Sequence, residues 1–271
     1  MHFDLIQALS LAGKTQVPND DRIGAGDCHA WVIDGATDLG EPGLVGPRGG
    51  AAWLSAAAHQ AFGAASGPVG TVCEAVFRAV EAAYARDQRR APLALWELPR
   101  ASFAAVAIEG EQLACGFMGD CVVLHRSATG VTFLTPEPNR AAELAEAAAL
   151  GPGAGGGGVR APHVLADRRA ARERPKAVLG VDAAHAVAHT RYVQAPVATG
   201  DDLILMSDGF AALFDTYAVI TPATFVSTVR EHGLAPLAQQ LRQIEQDDAA
   251  CLRYPRFKAH DDASALWLRV G

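Results

Sequence analysis

Several apolar runs in this chain stop abruptly at an aspartate. Trp31-Val32-Ile33 enters Asp34-Gly35, Phe117-Met118 enters Gly119-Asp120, and Leu203-Ile204-Leu205-Met206-Ser207 enters Asp208-Gly209. Asp261-Asp262 opens the last run, Ala263 to Val270, and Asn19-Asp20-Asp21 lies a short loop before the first. Short apolar runs bounded by turn residues read as buried strands. Such a strand fixes the residue at its end, and a lone desolvated carboxylate there is costly. Several carboxylates at one edge repel each other unless a cation lies among them. Oxygen donors with few His or Cys partners suit hard cations, so Mg2+ or Mn2+ is expected rather than zinc or copper. Glycine beside the aspartate lets the backbone come close, and its carbonyl can serve as a further ligand.

Asp-Gly is also a common hairpin turn. A hairpin, however, should lead into a second strand. Asp34-Gly35 leads into Ala36 to Gly43 and then a helical pattern, and Asp208-Gly209 leads into the helix-like Phe210 to Phe214. Taken as a set, the motifs read as a metal site. Gly200-Asp201-Asp202 and Asp247-Asp248 fit ordinary turn and helix-end roles. His185 and His189 have i, i+4 spacing, which could bind a metal on a helix, but Ala-His-Ala-Val-Ala-His fits a strand equally well, and a structural role is the expectation. There is no Gly-x-Ser-x-Gly elbow, and Cys121 lacks an adjacent base.

Strands are also expected at 102–108 and 112–118 around Glu109-Gly110, and at 121–125 and 131–134 around 128–130. Helical spacing predicts helices over 50–65, 71–86, 139–150, 222–232 (with Thr221 as N-cap and proline first) and 236–246. Strand runs followed by helix pairs imply an antiparallel sheet core with helices outside, in one domain. The tract Gly151 to Gly158 is expected to hold no regular element. Arg160, Arg168, Arg169, Arg172, Arg174 and Lys176 follow it and read as a solvated helix face after a flexible loop.

A net charge of −7 disfavours nucleic acid as a partner. Five cysteines with no C-x-x-C spacing argue against a disulfide framework or a thiolate zinc site. No signal peptide or membrane-spanning run is evident, so a soluble, cytoplasmic protein without a membrane partner is expected.

Asn19-Asp20-Asp21-Arg22, Val32-Ile33-Asp34-Gly35, Gly119-Asp120, Ser207-Asp208-Gly209 and Asp261-Asp262-Ala263-Ser264 occur in the order and spacing of the metal-dependent protein phosphatases of the 2C type. The resemblance runs from about residue 16 to the end. It implies an α+β fold, a four-layer α-β-β-α sandwich with two mainly antiparallel central sheets, and a phosphoserine/phosphothreonine phosphatase acting as a monomer on phosphorylated proteins. It implies two Mn2+ or Mg2+ ions. Asp34 would bridge them, the Gly35 carbonyl would bind one, and Asp208 and Asp261 would complete one shell. Asp34 and Asp208 would thus be the catalytic carboxylates. Asp20 and Asp21 match the family's acidic pair and would reach the centre directly or through water, and Asp120 matches the position that helps hold a weaker third metal. A hydroxide bridging the metals would attack phosphorus in line with the leaving oxygen.

The chain departs from this pattern in four places. Gln16 stands where many members carry a phosphate-clamping arginine, with Lys14 or Arg22 as candidate substitutes for substrate binding. Ala36 stands where some carry a histidine, Ala212 replaces a third-metal aspartate, and Asp20 is shorter than the usual acid. The basic run to Lys176 falls where the family has its variable flap, giving a flap-like insertion at about 150–178 that would attract a phosphorylated segment. Two alternatives stand beside a protein phosphatase: a catalytically degenerate regulatory or binding module, and a phosphatase of a small phosphorylated metabolite.

Overall fold

The apolar runs are strands with both faces buried, which is why they read as continuous rather than alternating. The computed structural model describes residues 1–271. Its strands are β1 (Phe3–Leu11), β2 (Arg22–Ala25), β3 (His29–Gly35), β4 (Ala101–Glu109), β5 (Gln112–Met118), β6 (Val122–Ser127), β7 (Gly130–Phe133), β8 (Arg191–Pro196), β9 (Asp202–Met206) and β10 (Ala263–Val270). Its helices are α1 (Gly50–Ala64), α2 (Val69–Asp87), α3 (Ala141–Ala149), α4 (Pro162–Arg172), α5 (Ala183–His189), α6 (Asp208–Ala211), α7 (Pro222–His232) and α8 (Ala235–Asp247).

Two antiparallel five-stranded sheets form, in the orders β1-β10-β9-β6-β7 and β2-β3-β4-β5-β8. Alternate residues of each inner strand serve different layers. Ala30 and Val32 of β3 face the core between the sheets with Ala104, Val106, Leu205 and Leu266, whereas Trp31 and Ile33 face α1 and α2 with Phe62 and Phe77. In the other sheet Ile204 and Met206 face Phe225 and Leu241 of α7 and α8. The result is the four-layer α-β-β-α sandwich that the sequence predicts. Thr221 caps α7 as expected, accepting from the Thr224 N–H at 3.2 Å.

Three expectations need correction, and one open reading is decided. The glycine tract is not devoid of regular structure: Ala154–Gly157 forms a 3-10 turn, and buried Gly155 lies so close to the Arg256 carbonyl that a Cβ would collide with it. The His185/His189 segment, open between helix and strand, is helix α5, with the two rings stacked at 4.1 Å. Asp202 is no ordinary turn residue. It is buried at the start of β9, where Arg269 donates to it at 2.9 Å, the Trp267 indole donates at 3.0 Å, and Arg230 lies within ion-pair distance at 2.9 Å. Finally, α4 is not simply a solvated face, because Arg169 donates to the Leu39 carbonyl at 2.6 Å and stacks on Trp96. All five cysteines are free, and only Cys28 is exposed. No helix is long and apolar enough to cross a membrane.

Candidate metal centre

The strand ends carrying aspartate meet at one edge of the sandwich. Asp34 sits at the end of β3, paired across the ladder with Ser102 of β4. The Ser102 hydroxyl donates to Asp120 at 2.5 Å, which brings the end of β5 to the same place. From the other sheet, β9 delivers Ser207 and Asp208, and the Asp208 N–H points at Asp34 Oδ2 from 3.4 Å. Carboxylate oxygens of Asp34, Asp120 and Asp208 all lie within 4.8 Å of one another. The sequence expected these three to converge together with Asp20, Asp21 and Asp261; these three are the ones whose carboxylate oxygens come this close.

Asp21 is buried behind them. Its Oδ2 accepts from Ser207 at 2.7 Å, while its Oδ1 is buried with no partner. Asp20 is held differently: its N–H donates to Asp262 Oδ2 at 2.6 Å, and Asp262 Oδ1 accepts from Gly13 at 2.7 Å. Asp262 therefore clamps the loop before β2 against the start of β10. Gly35 is required by this packing, since a Cβ there would lie 2.7 Å from the Asp20 carbonyl and 2.8 Å from Ser55 Oγ.

Burial is the main reason these acids resist ionisation, and their mutual repulsion adds to it. Asp20 is pushed up to about 7 by burial, then by Asp262 and Asp38. Burial raises Asp208 to about 7 despite the neighbouring Arg140. Asp34 and Asp21 are raised well above the carboxylate range, first by burial and then, for Asp34, by Asp208.

Two basic side chains stand among the acids. Arg140, just before α3, pairs with Asp208 Oδ2 at 3.0 Å and with Glu143 at 2.5 Å. Lys258 Nζ lies 2.5 Å from Asp261 Oδ1 and donates to Thr37 Oγ1 at 2.9 Å. Asp261 is thus at the site but paired with a lysine. Asp34, Asp120, Asp208 and Asp261 line the floor of a cavity of about 430 Å3. Lys14 and Arg22 do not line it. Lys14 is exposed, and the Arg22 guanidinium donates to the Asn19 and Asp21 carbonyls at 2.7 and 2.5 Å.

By sequence, no family model and no curated protein matches the chain. Solved structures do match by shape. The catalytic domain of the serine/threonine protein phosphatase PstP in complex with two manganese ions aligns with a TM-score of 0.57 at 16% identity, over 100% of this chain and 99% of that one. This is the fold of the metal-dependent serine/threonine phosphatases. MsPP from Mycobacterium smegmatis in complex with cacodylate aligns with a TM-score of 0.54 at 16% identity, over 98% of this chain and 99% of that one. The serine/threonine phosphatase of S. agalactiae aligns with a TM-score of 0.53 at 15% identity, over 99% and 100%.

Sequence reasoning missed Arg140 and Lys258. Neither belongs to an apolar run or a turn motif, and nothing in their spacing separates them from the other basic residues among the 23 Lys and Arg. Their roles arise only when α3 and the segment before β10 fold over the acidic edge.

Proposed function

We propose that this chain is a Mn2+- or Mg2+-dependent phosphatase of phosphoserine and phosphothreonine in proteins. The observation that supports it is the set of three converging carboxylates, Asp34, Asp120 and Asp208, at one end of this fold. The donor set suits divalent cations. It consists of oxygens, Asp34 and Asp208 are carboxylates that burial disfavours as anions, and Asp21 Oδ1 is buried without a partner. Asp34, Asp208, Asp261 and the Gly35 carbonyl would hold the ions, with Asp20 and Asp21 supporting them and Asp120 beside them. Bound there, the ions would acidify a water and neutralise charge on the phosphoryl oxygens.

The protein's own groups do the rest. Ser102 orients Asp120, and Ser207 orients Asp21. The Asp262 clamp holds the Asp20 backbone against the start of β10. Ala36 offers no proton to a leaving group, so that proton must come from another source. Arg140 and Lys258 neutralise Asp208 and Asp261 before any ion arrives.

That same pairing favours a second reading, a phosphatase-like binding module whose internal cations have replaced the metals. Hydrolysis of a phosphothreonine peptide with Mn2+, Mg2+ or EDTA, beside an Asp208→Ala variant, separates the two. The phosphatase reading expects turnover that needs the metal and disappears in the variant. A folded sample with no turnover under any metal favours the module. A small phosphorylated metabolite cleaved far faster than any peptide would reassign the substrate.

A further inference from the structure

The cavity has a wall as well as a floor, and the wall is basic. Three α4 arginines behave differently. Arg168 pairs with Asp167 and Glu146 at 2.6 and 2.8 Å and lies over the Phe257 ring. Arg169 is held by the Leu39 carbonyl and Trp96. Arg172 lines the cavity, and its guanidinium has no carboxylate within ion-pair distance and no hydrogen-bond acceptor. Arg100 lines the cavity beside it and donates to the Arg172 carbonyl at 2.7 Å, fixing the end of α4. Arg100 likewise has no carboxylate partner, donating otherwise only to the Leu95 carbonyl at 3.3 Å.

A guanidinium kept from water beside other guanidiniums is unfavourable unless an anion lies against it. Burial, followed by repulsion from Arg100, brings the Arg172 pKa down to about 10 even though Asp38 and Asp20 attract it. The floor thus calls for cations and the wall for an anion, within a single cavity of about 430 Å3. A phosphate ester held on metal ions meets both demands. Gln16 contributes to neither, because it is exposed and does not line the cavity.

We propose that Arg172 grips the phosphoryl oxygens of the substrate, so that α4 supplies the anion-holding group the Gln16 loop lacks. The planar guanidinium can offer two parallel N–H donors to two such oxygens. This rests on the phosphatase reading of the floor, and the test keeps the two apart.

Binding of inorganic phosphate would be measured by calorimetry in Mn2+ for the parent, Arg172→Ala and Arg172→Lys, together with KM and kcat for an aryl phosphate. The expected result is roughly tenfold or greater weakening of phosphate binding in Arg172→Ala, with a matching rise in KM and Mn2+ affinity unchanged. Arg172→Lys keeps the charge but loses the fork, so it should recover only part of the loss. It also serves if the alanine variant does not fold. Phosphate binding within twofold of the parent in either folded variant would overturn the assignment. A parent that binds phosphate through Arg172 yet hydrolyses nothing keeps this anion site and removes the phosphatase reading. A parent that hydrolyses the ester, with Arg172→Ala unchanged, does the reverse.

Discussion

Lys258 Nζ lies 2.5 Å from a carboxylate oxygen of Asp261 in the cavity that the acidic edge lines. Burial alone would lower the lysine pKa, but Asp261, Asp208 and Asp34 hold it above the ordinary value. The ammonium therefore acts as a counter-ion to the same acids that would hold metal. It should stabilise the metal-free protein and compete with an incoming cation.

Lys258→Met separates these two effects. Without the ammonium, the metal-free protein should melt several degrees lower, because Asp261 is left unpaired. Mn2+ should then bind more tightly, by roughly tenfold, since one unit of opposing charge has gone. Calorimetry for the affinity and melting curves in EDTA for the stability check both signs. Weaker Mn2+ binding in a folded variant would show that Lys258 supports the metals instead of competing with them.

Gly35→Ala tests the close approach of β3 to the Asp20 loop. The new methyl would lie 2.7 Å from the Asp20 carbonyl, which cannot retreat without breaking the Asp262 clamp. Overpacking of this kind costs about 1–3 kcal/mol, so the fold should survive. Metal affinity should fall by tenfold or more as Asp20 and Asp21 are displaced from Asp34. Unchanged Mn2+ affinity would mean that the loop position does not matter to the site.

The pH dependence has a definite sign. Asp20 has an ordinary pKa of 3.8 and is raised to about 7 when folded. Between these values the folded protein keeps a proton that the unfolded chain has released. Its contribution to stability therefore falls as pH rises through that window, by about 1.4 kcal/mol per unit. In EDTA, Asp20→Asn should match the parent near pH 4.5 and melt higher than the parent at pH 8. Saturating Mn2+ should favour the parent instead. A melting difference that stays constant across pH would count against the raised pKa of Asp20.

Much of this was legible because the site is built on the most strongly patterned part of the chain. β3, β9 and β10 are buried on both faces, so their apolar runs and their terminal aspartates stand out together. β8 escaped notice because it is an edge strand whose residues are mostly exposed, leaving little apolar signal. β2 is only four residues long and half-buried throughout. Asp202 looked like a turn residue because its partners, Arg230 and Arg269, come from distant elements. Arg140 and Lys258 are single basic side chains whose meaning depends on what folds beside them, and Arg172 stood out only as one member of a basic run.

The central claim is that the edge holding Asp34, Asp120 and Asp208 binds divalent metal. The most direct test is calorimetric titration of the EDTA-stripped, folded protein with Mn2+ at pH 8, beside an Asp34→Asn variant. About two ions per chain are expected in the parent, with proton release on binding, and loss of that binding in the variant. A folded parent that takes up no Mn2+, or an Asp34→Asn variant that binds it as well as the parent, would contradict the claim.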